Sequence, residues 1–364
     1  TDPVEKAMEL LPLGPVLLID TAGIDDTADL GPQRVARTRR IWERTDLALL
    51  VVAAGDWGEV ERELLAEFRR RKIPAVVVFN QCDLASPAPA TIAELDAAGV
   101  RHVRTQAVRG EGMDDLRAAI LEAAPEEWLA APTIAADLVP PGRVAVLVVP
   151  IDLEAPKGRL ILPQVQTIRD LLDHDALSLV VKERELRRAL ELLREPPALV
   201  VTDSQAFLKV AGDLPPDQPL TSFSILFARA KGDLAEFVRG ALAIDRLRPG
   251  DRVLVAEACA HHPIGEDIGR VKLPRWLTQY VGGKLEVTVT QGHDFPPDLA
   301  SYRLVLHCGG CTFNRRALLS RIQRCRQAGV PITNYGVAIA RTLGVFPRAI
   351  MPFPEAMAAL ASPG

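Results

Sequence analysis

Two short motifs in the C-terminal third of the chain combine thiols with imidazoles. Residues 307–311 read His-Cys-Gly-Gly-Cys, and residues 259–261, upstream of them, read Cys-Ala-His. Thiolate sulfur and imidazole nitrogen are soft metal ligands, and three thiolates favour an iron–sulfur cluster or zinc. The two glycines between Cys308 and Cys311 let the loop curl so that both sulfurs face one centre. These motifs therefore predict a metal centre.

The predicted centre has three clustered thiols, on Cys259, Cys308 and Cys311. Three thiolates leave one coordination position open or held by an exchangeable group, and chemistry or transfer takes place at an open position. His261 and His307 lie close to these cysteines in sequence, and either could supply a fourth ligand or a hydrogen bond to a sulfur. A structural zinc site of three cysteines and one histidine is the alternative, because ligand types alone do not exclude it.

Apolar runs precede both motifs and predict strands. Residues 253–256 lead towards Cys259, and residues 304–306 lead into His307. Continuous apolar runs are typical of strands in parallel sheets, which are covered on both faces. Parallel strands end at one shared edge of the sheet, where ligands bind in open α/β folds. We therefore expect the two motifs to lie at that edge.

Three further motifs, in the first third of the chain, follow predicted strands. The first reads Asp-Thr-Ala-Gly and begins at Asp20, after the apolar run 16–19. In P-loop GTPases the carboxylate at this position holds Mg²⁺ through water, and the glycine amide faces the γ-phosphate. The corresponding residues here are Asp20, Thr21 and Gly23. Such a short motif is weak evidence by itself, because short motifs recur by chance.

The second and third motifs correspond to the guanine pocket of such GTPases. Residues 80–83 read Asn-Gln-Cys-Asp in the position of Asn-Lys-x-Asp. Asp83 would accept hydrogen bonds from the guanine base, and a buried acceptor rejects bases that lack those donors. Residues 106–113 take the place of the loop that completes the pocket, which adds Ala107 to Asn80 and Asp83. Together, the three motifs predict a Ras-like GTPase domain that binds GTP or GDP with Mg²⁺.

The GTPase pattern is incomplete. The sequence contains no Gly-x-x-x-x-Gly-Lys-Ser/Thr, the loop whose amides and lysine hold the phosphates. Gln81 also replaces the usual lysine, and Gln106 replaces the usual serine. Since the chain begins at Thr1, we expect it to lack the first strand, the P-loop and the first helix of the domain. The alternative is a degenerate GTPase fold that is kept for structure, and the pattern leaves nucleotide binding by this chain open.

Composition limits the class of protein. The chain has 364 residues, a net charge of −4 and 48% hydrophobic residues, as expected of a globular protein with more than one domain. The charge gives no indication of nucleic-acid binding. We find neither a membrane-spanning run nor a secretory segment, and so we expect a cytoplasmic protein without a membrane partner. Five cysteines, three of them clustered, favour metal or redox chemistry over a disulfide framework.

Alternating strand and helix patterns predict an α/β protein of three α/β domains. These are an incomplete P-loop GTPase domain at 1–130 and two parallel-sheet domains, one at 131–221 and one at 222–364. Proline-rich stretches at 132 and 140–142 suggest a linker. Residues 222–227 are predicted to be a strand. The last two thirds resemble two similar α/β units, but no internal repeat is strong enough to be claimed from the sequence.

The motifs and their surroundings resemble one family, HydF, the GTPases of [FeFe]-hydrogenase maturation. The resemblance is carried by residues 257–264, 266–276 and 307–311, and by 6–10 and 20–26 near the start. It covers nearly the whole chain in order. It implies a GTPase domain, a dimerisation domain and a C-terminal domain in which Cys259, Cys308 and Cys311 ligate a [4Fe–4S] cluster with an exchangeable fourth iron site.

The resemblance also implies a function. Members of this family act as a scaffold or carrier for a diiron precursor made with the radical-SAM maturases HydE and HydG. They deliver this transient precursor to the apo [FeFe]-hydrogenase, and GTP turnover is linked to exchange among partners. A homodimer is implied as well. The competing hypothesis is a GTP-dependent switch protein with a structural zinc site. A cluster-bearing enzyme is a third reading, but it lacks a recognisable catalytic dyad or a radical-SAM cysteine motif.

Overall fold

The computed structural model of the protein describes residues 4–21, 41–125, 133–151, 158–258 and 267–361. These residues form an α/β fold with several parallel sheets, as the sequence predicts. The chain divides into two compact units, Thr1–Pro132 and Thr133–Gly364. In the described parts, no helix combines the length and apolar character that crossing a membrane requires.

The first unit contains an antiparallel hairpin and a three-stranded parallel sheet of order β3-β4-β5. Val76 to Phe79 on the central strand are almost fully buried, because helices cover both faces of the sheet. The elements of this unit, in chain order, are β1 (Val4–Leu10), β2 (Gly14–Asp20), β3 (Ala48–Ala53), α1 (Glu59–Arg70), β4 (Ala75–Asn80), α2 (Pro89–Ala97), β5 (Arg101–Arg104) and α3 (Met113–Ala123).

The hairpin corrects one prediction. The apolar run 16–19 suggests a buried strand of a parallel sheet, whereas β2 pairs antiparallel with β1 and is largely exposed. Glu5 and Lys6 interrupt the apolar character of β1, so its sequence gives no strong strand signal. Gly14 has φ +87°, a conformation open mainly to glycine, and it starts the return strand.

The second unit holds two four-stranded parallel sheets. The first half of this unit, residues 133–232, has strand order β7-β6-β8-β9. Its elements are β6 (Val144–Val148), α4 (Leu162–Asp173), β7 (Leu177–Val181), α5 (Leu186–Leu192), β8 (Leu199–Thr202), α6 (Phe207–Asp213), β9 (Leu220–Ser222) and α7 (Phe223–Lys231). The domain boundary expected between residues 221 and 222 lies inside β9.

The second half of this unit, residues 233–361, has strand order β11-β10-β12-β13. Its elements are α8 (Leu234–Leu242), β10 (Arg252–Ala256), α9 (Leu273–Val281), β11 (Glu286–Thr290), β12 (Leu304–His307), α10 (Arg315–Gln327), β13 (Ile332–Asn334), α11 (Tyr335–Thr342), α12 (Phe346–Ile350) and α13 (Pro354–Ala361). The inner strands are fully buried, since helices pack on both faces. One continuous hydrophobic core joins the two halves.

The two halves are a structural repeat, which the sequence-based reading did not claim. In each half, the first strand lies between the second and third strands, and the fourth lies outside the third. A Gly-Arg-x-x-Leu-Pro-x-x-x-Thr pattern begins at Gly158 and again at Gly269, each time at the start of the helix after the first strand. A salt bridge also recurs, from Arg229 to Asp137 and from Arg341 to Asp245. The repeat is not evident from the sequence alone, because the segments between these shared features differ between the two halves.

The predicted strand at residues 222–227 is wrong. Only Ser222 belongs to strand β9, and the apolar run that follows is helix α7. The Ser222 side chain accepts a hydrogen bond from the Ile225 amide at 3.2 Å, which caps the helix. The helix is buried on nearly all sides, and a short apolar run cannot distinguish a buried helix from a buried strand.

Candidate metal centre and nucleotide motifs

The cysteine loop, residues 308–313, lies at the carboxyl-terminal edge of the second sheet. Strands β10 and β12 are adjacent and parallel, with Ala256 opposite His307. The Cys308 amide donates to the Ala256 carbonyl at 3.0 Å, and the Ala258 amide donates to Cys308 Sγ at 3.0 Å. The two strands that precede the sequence motifs therefore end side by side, as expected.

The loop itself turns back on the strands. Gly310 has φ +63°, and the Phe313 amide donates to the Gly310 carbonyl at 3.0 Å. Thr312 Oγ1 donates to the Ala258 carbonyl at 3.4 Å, which ties the loop to the end of β10. The side chains of Cys308 and Cys311 are both partly exposed.

Two predicted metal residues, Cys259 and His261, lie outside the described residues, and so does Gly23 of the nucleotide motif. Among the residues that the structure does describe, no group of three or more His, Cys, Asp or Glu side chains could hold a metal ion. Cys308 and Cys311 are therefore the only predicted thiol ligands whose surroundings can be described. Both are partly exposed, and Cys308 Sγ already accepts an amide hydrogen bond, so they fit a group that thiolates bind.

Lys231, at the end of helix α7, contacts the cysteine loop. Its Nζ donates to the carbonyl oxygens of Cys311 and Phe313, each at 2.8 Å, and to that of Gly310 at 3.2 Å. Burial lowers the pKa of Lys231, whereas the thiolates of Cys311 and Cys308 act to raise it. The sequence-based reading missed this residue, because it lies about 80 positions from the loop. The one available signal was a lysine at the end of a largely apolar helix.

His307 is fully buried, and both of its ring nitrogens have partners. Nδ1 lies 2.7 Å from the Cys308 carbonyl, and Nε2 lies 2.9 Å from Arg321 Nη1. Since a carbonyl only accepts and a guanidinium only donates, the ring is neutral, with its proton on Nδ1. Burial and the Arg321 charge lower the pKa of His307 to about 3. In this arrangement neither nitrogen has a lone pair for a metal, which departs from the prediction of His307 as a ligand.

Arg321, on helix α10, was also missed by sequence reasoning. Its guanidinium lies over the rings of Phe313 and Phe295, with the central carbon 4.5 and 4.8 Å from the ring centroids. It also donates to the Gly292 carbonyl at 2.5 Å. A buried cation with aromatic faces and several acceptors is held rigidly, so Arg321 fixes the orientation of His307 behind the loop.

Two basic residues just before helix α9 form hydrogen bonds with side chains from other parts of the chain. Arg270 Nη2 lies 3.2 Å from Oε2 of the buried Glu257, and Gln291 donates to the same oxygen at 3.3 Å. Lys272 Nζ donates to Gln205 Oε1 at 3.0 Å. These contacts fix the chain on both sides of residues 259–266, where the first cysteine motif lies.

The remaining cysteines carry no indication of metal binding. Cys325 is fully buried in helix α10, and burial raises the pKa of its thiol to about 12. Such a thiol packs like an apolar side chain and is chemically inert. Cys82 donates to the Phe79 carbonyl at 3.2 Å in the first unit.

Asn80, in the predicted guanine motif, makes two hydrogen bonds through its side-chain oxygen. Asn80 Oδ1 accepts from the Ala107 amide at 3.0 Å and from Thr105 Oγ1 at 3.1 Å. The Asn80 side chain therefore joins the ends of β4 and β5. Gln81 adopts φ +59°, which turns the chain so that Asp83 stands exposed after the strand.

The Asp-Thr-Ala-Gly motif begins at the end of the hairpin. Asp20 is the last residue of β2 and is exposed, and Thr21 follows it. Val4 pairs opposite Asp20 at the open end of the hairpin. The carboxylate is accessible there, as a residue that holds a hydrated ion requires.

Comparison with known families identifies the second unit. The model of the hydrogen maturase F dimerization domain matches residues 134–232. The model of the hydrogen maturase F tetramerization domain matches residues 235–352. The two matches correspond to the first and second halves described above, and they meet just after helix α7.

Curated relatives show a different similarity. The tRNA modification GTPase MnmE of Chromobacterium violaceum is 40% identical over 109 residues, which is 30% of this chain and 24% of that protein. MnmE of Nitrosomonas europaea is 35% identical over 125 residues, 34% of this chain and 27% of that protein. MnmE of Thiobacillus denitrificans is 38% identical over 135 residues, with shares of 36% and 27%. This chain thus spans about a quarter of the length of these relatives.

Proposed function

Because this chain belongs to the hydrogen maturase F family, HydF, we propose that it is a scaffold or carrier that binds a [4Fe–4S] cluster at the cysteine loop. The observation that carries this proposal is the loop itself. It offers two partly exposed thiols, an amide that already donates to Cys308 Sγ, and the ammonium group of Lys231 beside them. Amide donors and positive charge both favour an anionic thiolate-bound cluster.

Cys308 and Cys311 would bind the cluster together with Cys259. When bound, such a cluster supplies an iron position that no thiolate occupies and that another group can take and leave. The residues of this chain hold the loop and keep its surroundings positive, while His307 forms hydrogen bonds with the Cys308 carbonyl and Arg321. His261 and His307 stay the predicted histidine candidates for the fourth position.

The cargo and partners follow from the family. We propose that the chain carries a transient diiron precursor, receives it from the radical-SAM maturases HydE and HydG, and delivers it to the apo [FeFe]-hydrogenase. These reactions take place in the cytoplasm in this proposal. The three domains expected from the sequence then separate the tasks: nucleotide response, assembly and cluster binding.

The GTPase part of the proposal is carried by the Asn80 turn. Its contacts to Thr105 and Ala107 support a guanine pocket, in which Asp83 reads the base. Asp20, Thr21 and Gly23 would face Mg²⁺ and the phosphates. The similarity to GTPases supports this assignment. GTP turnover by this sequence also needs phosphate-binding residues. Isothermal titration with GDP and Mg²⁺ tests binding at the proposed guanine pocket directly.

A homodimer is proposed through the first half of the second unit. Strand β7 is an edge strand of its sheet, and Leu177 and Val180 on it are 54% and 41% exposed. An exposed apolar edge strand is a ready site for pairing with another chain. We expect Leu177→Glu with Val180→Glu to convert dimers to monomers in light scattering. Thr288→Glu on the edge strand β11 is the matched control, and an unchanged dimer in the double variant would contradict this interface.

The cluster assignment is tested by anaerobic reconstitution with iron and sulfide. We expect about four irons per chain and a [4Fe–4S] electron paramagnetic resonance signal after reduction, both lost in Cys308→Ser. Stoichiometric zinc with no uptake of iron would replace this proposal by its alternative, a GTP-dependent switch protein with a structural zinc site.

A further inference from the structure

Lys231 belongs to the first half of the second unit, yet its ammonium group lies on the cysteine loop of the second half. All three of its donor hydrogens have carbonyl acceptors there, on Gly310, Cys311 and Phe313. An ammonium group has three donors and no acceptor, so this set uses its full capacity. Hydrogen bonds from a charged donor are stronger than neutral ones, particularly where water is partly excluded.

The acceptors are spaced so that one side chain fixes the whole loop. Gly310 and Cys311 precede the start of helix α10, and Phe313 is the residue before its cap, Asn314. Gly310 has φ +63°, a conformation that glycine adopts at little cost. Glycine can also adopt other conformations at little cost, so the residue itself does not hold the loop in this one. A loop with two adjacent glycines therefore needs an external contact to hold its sulfurs in place.

The ammonium group of Lys231 also faces an aromatic ring. Its Nζ lies 5.4 Å from the centroid of the Phe227 ring, one turn earlier on helix α7. Phe227 is buried, so this ring is held in place. The neighbouring Arg315 extends the contact by donating to the Ala230 carbonyl at 2.9 Å. The end of helix α7 and the start of helix α10 are thus tied together around the loop.

The structural repeat shows that this lysine is not a requirement of the fold. Helix α11 is the counterpart of α7, and both contain an Ala-Arg pair, at 228–229 and 340–341. Two residues after the arginine, the first half has Lys231 and the second half has Leu343, and a glycine follows each. Leu343 packs against the core, as a purely structural residue would.

We propose that Lys231 is the positioning residue of the cysteine loop: it fixes the loop through three main-chain carbonyls and sets a positive charge beside Cys308 and Cys311. The effect on the loop is a property of the metal-free chain. The effect of the charge on a bound cluster rests on the proposed function. The first half thereby contributes to the centre of the second, and a movement between them would change how the cluster is held.

Lys231→Met tests this proposal, because methionine keeps the stem and removes the charge and the donors. In the metal-free chain we expect amide hydrogen exchange in residues 308–314 to become at least tenfold faster. After anaerobic loading we expect iron to be lost to a chelator at least tenfold faster, and a smaller fraction of the cluster to be reduced at a fixed potential. A positive charge stabilises the more negative, reduced cluster, so its removal opposes reduction.

Matched variants separate positioning from general stability. Lys209→Met removes another lysine of the first half, one whose side chain is 46% exposed, and should leave all three measurements unchanged. Lys231→Arg keeps the charge and should restore the reducible fraction. Lys231→Gln keeps one neutral donor group, should give intermediate exchange, and serves if Lys231→Met does not fold.

The outcomes distinguish the two proposals. Exchange in residues 308–314 at the wild-type rate in both Lys231→Met and Lys231→Gln would overturn the positioning role. A wild-type chain that takes up no iron would instead contradict the proposed function, and the exchange measurement would still decide the role of Lys231.

Discussion

The two halves of the second unit share a fold but differ at the edge of the sheet where the third strand ends. In the first half, Thr202 is followed by Asp203, which accepts a hydrogen bond from the buried Gln164 at 3.1 Å. In the second half, His307 is followed by Cys308, whose thiol is partly exposed. The same backbone position thus carries a closed polar contact in one half and an accessible thiol in the other.

This difference shows which contacts serve the fold and which serve the site. The salt bridges Arg229–Asp137 and Arg341–Asp245 recur in both halves, and each arginine also lies over a phenylalanine ring. Such recurring contacts belong to the common fold. Lys231 occurs only once, and it contacts the loop that carries the thiols. Features present in one half alone are therefore the better indicators of function.

The largest expected effect is the loss of the centre through its thiols. Cys308→Ser and Cys311→Ser should each abolish stable iron binding, as should Cys259→Ser, because each removes one of three thiolates. Asp203→Ala changes the counterpart of Cys308 in the first half and should leave the iron content of the reconstituted protein unchanged. Iron and sulfide retained at the wild-type level in any cysteine variant would remove that residue from the ligand set.

The next effect concerns two helical glycines, one in each half, that differ in the space available for a Cβ. A Cβ at Gly240 would lie 1.9 Å from the Ile332 carbonyl oxygen, so Gly240→Ala should lower the free energy of unfolding by about 3 kcal/mol. Gly212 in helix α6 has open space, and Gly212→Ala should be neutral or stabilising by about 0.5–1 kcal/mol. Urea unfolding compares the two variants, and equal values would contradict the close approach at Gly240.

His307 and Thr202 occupy equivalent positions with different structural duties. His307→Ala leaves the buried Arg321 without one acceptor and should cost about 2 kcal/mol. Thr202 Oγ1 makes a long contact, 3.4 Å, to the Asp203 carbonyl, so Thr202→Val should change stability by less than about 1 kcal/mol. Thermal unfolding of the metal-free variants measures both. A destabilisation in Thr202→Val as large as in His307→Ala would mean that the hydrogen bond between His307 and Arg321 makes no specific contribution to stability.

The smallest effect is a dependence on pH in the second half. Burial would raise the pKa of Asp245, but hydrogen bonds from Arg341 and Tyr280 outweigh it and lower the pKa below its usual value. The lowered pKa means that ionised Asp245 stabilises the folded state. This stabilisation is present above the unfolded-state pKa of about 3.9 and is lost as the pH falls through the folded-state pKa. Since the Arg341–Asp245 pair is about a third exposed, its contribution to the free energy of unfolding should stay below about 1 kcal/mol.

The measurement is the difference in unfolding free energy between wild type and Asp245→Asn from pH 6 down to pH 2. That difference should shrink as the pH falls, because protonation of Asp245 removes the same interaction that the substitution removes. A difference that stays constant with pH would show that the salt bridge does not stabilise the fold.

Much of the fold was predictable because the inner strands are continuous apolar runs. The predicted strands at 253–256 and 304–306 lie within β10 (Arg252–Ala256) and β12 (Leu304–His307). The pattern failed at residues 222–227, where complete burial removes the periodicity that separates helix from strand. It also failed at the hairpin, where β1 has no strong strand signal and the apolar run of β2 lies in a largely exposed antiparallel strand.

The sequence by itself determined the chemistry that is possible: which thiols and imidazoles exist, and that the strands before them are buried and end near one another. Residue types and strand periodicity are local properties, so they can be read along the chain. Only the tertiary structure decided that His307 faces Arg321 and not open space, and that Lys231 reaches the cysteine loop. These contacts join positions far apart in sequence, and they form only where packing brings the helices together.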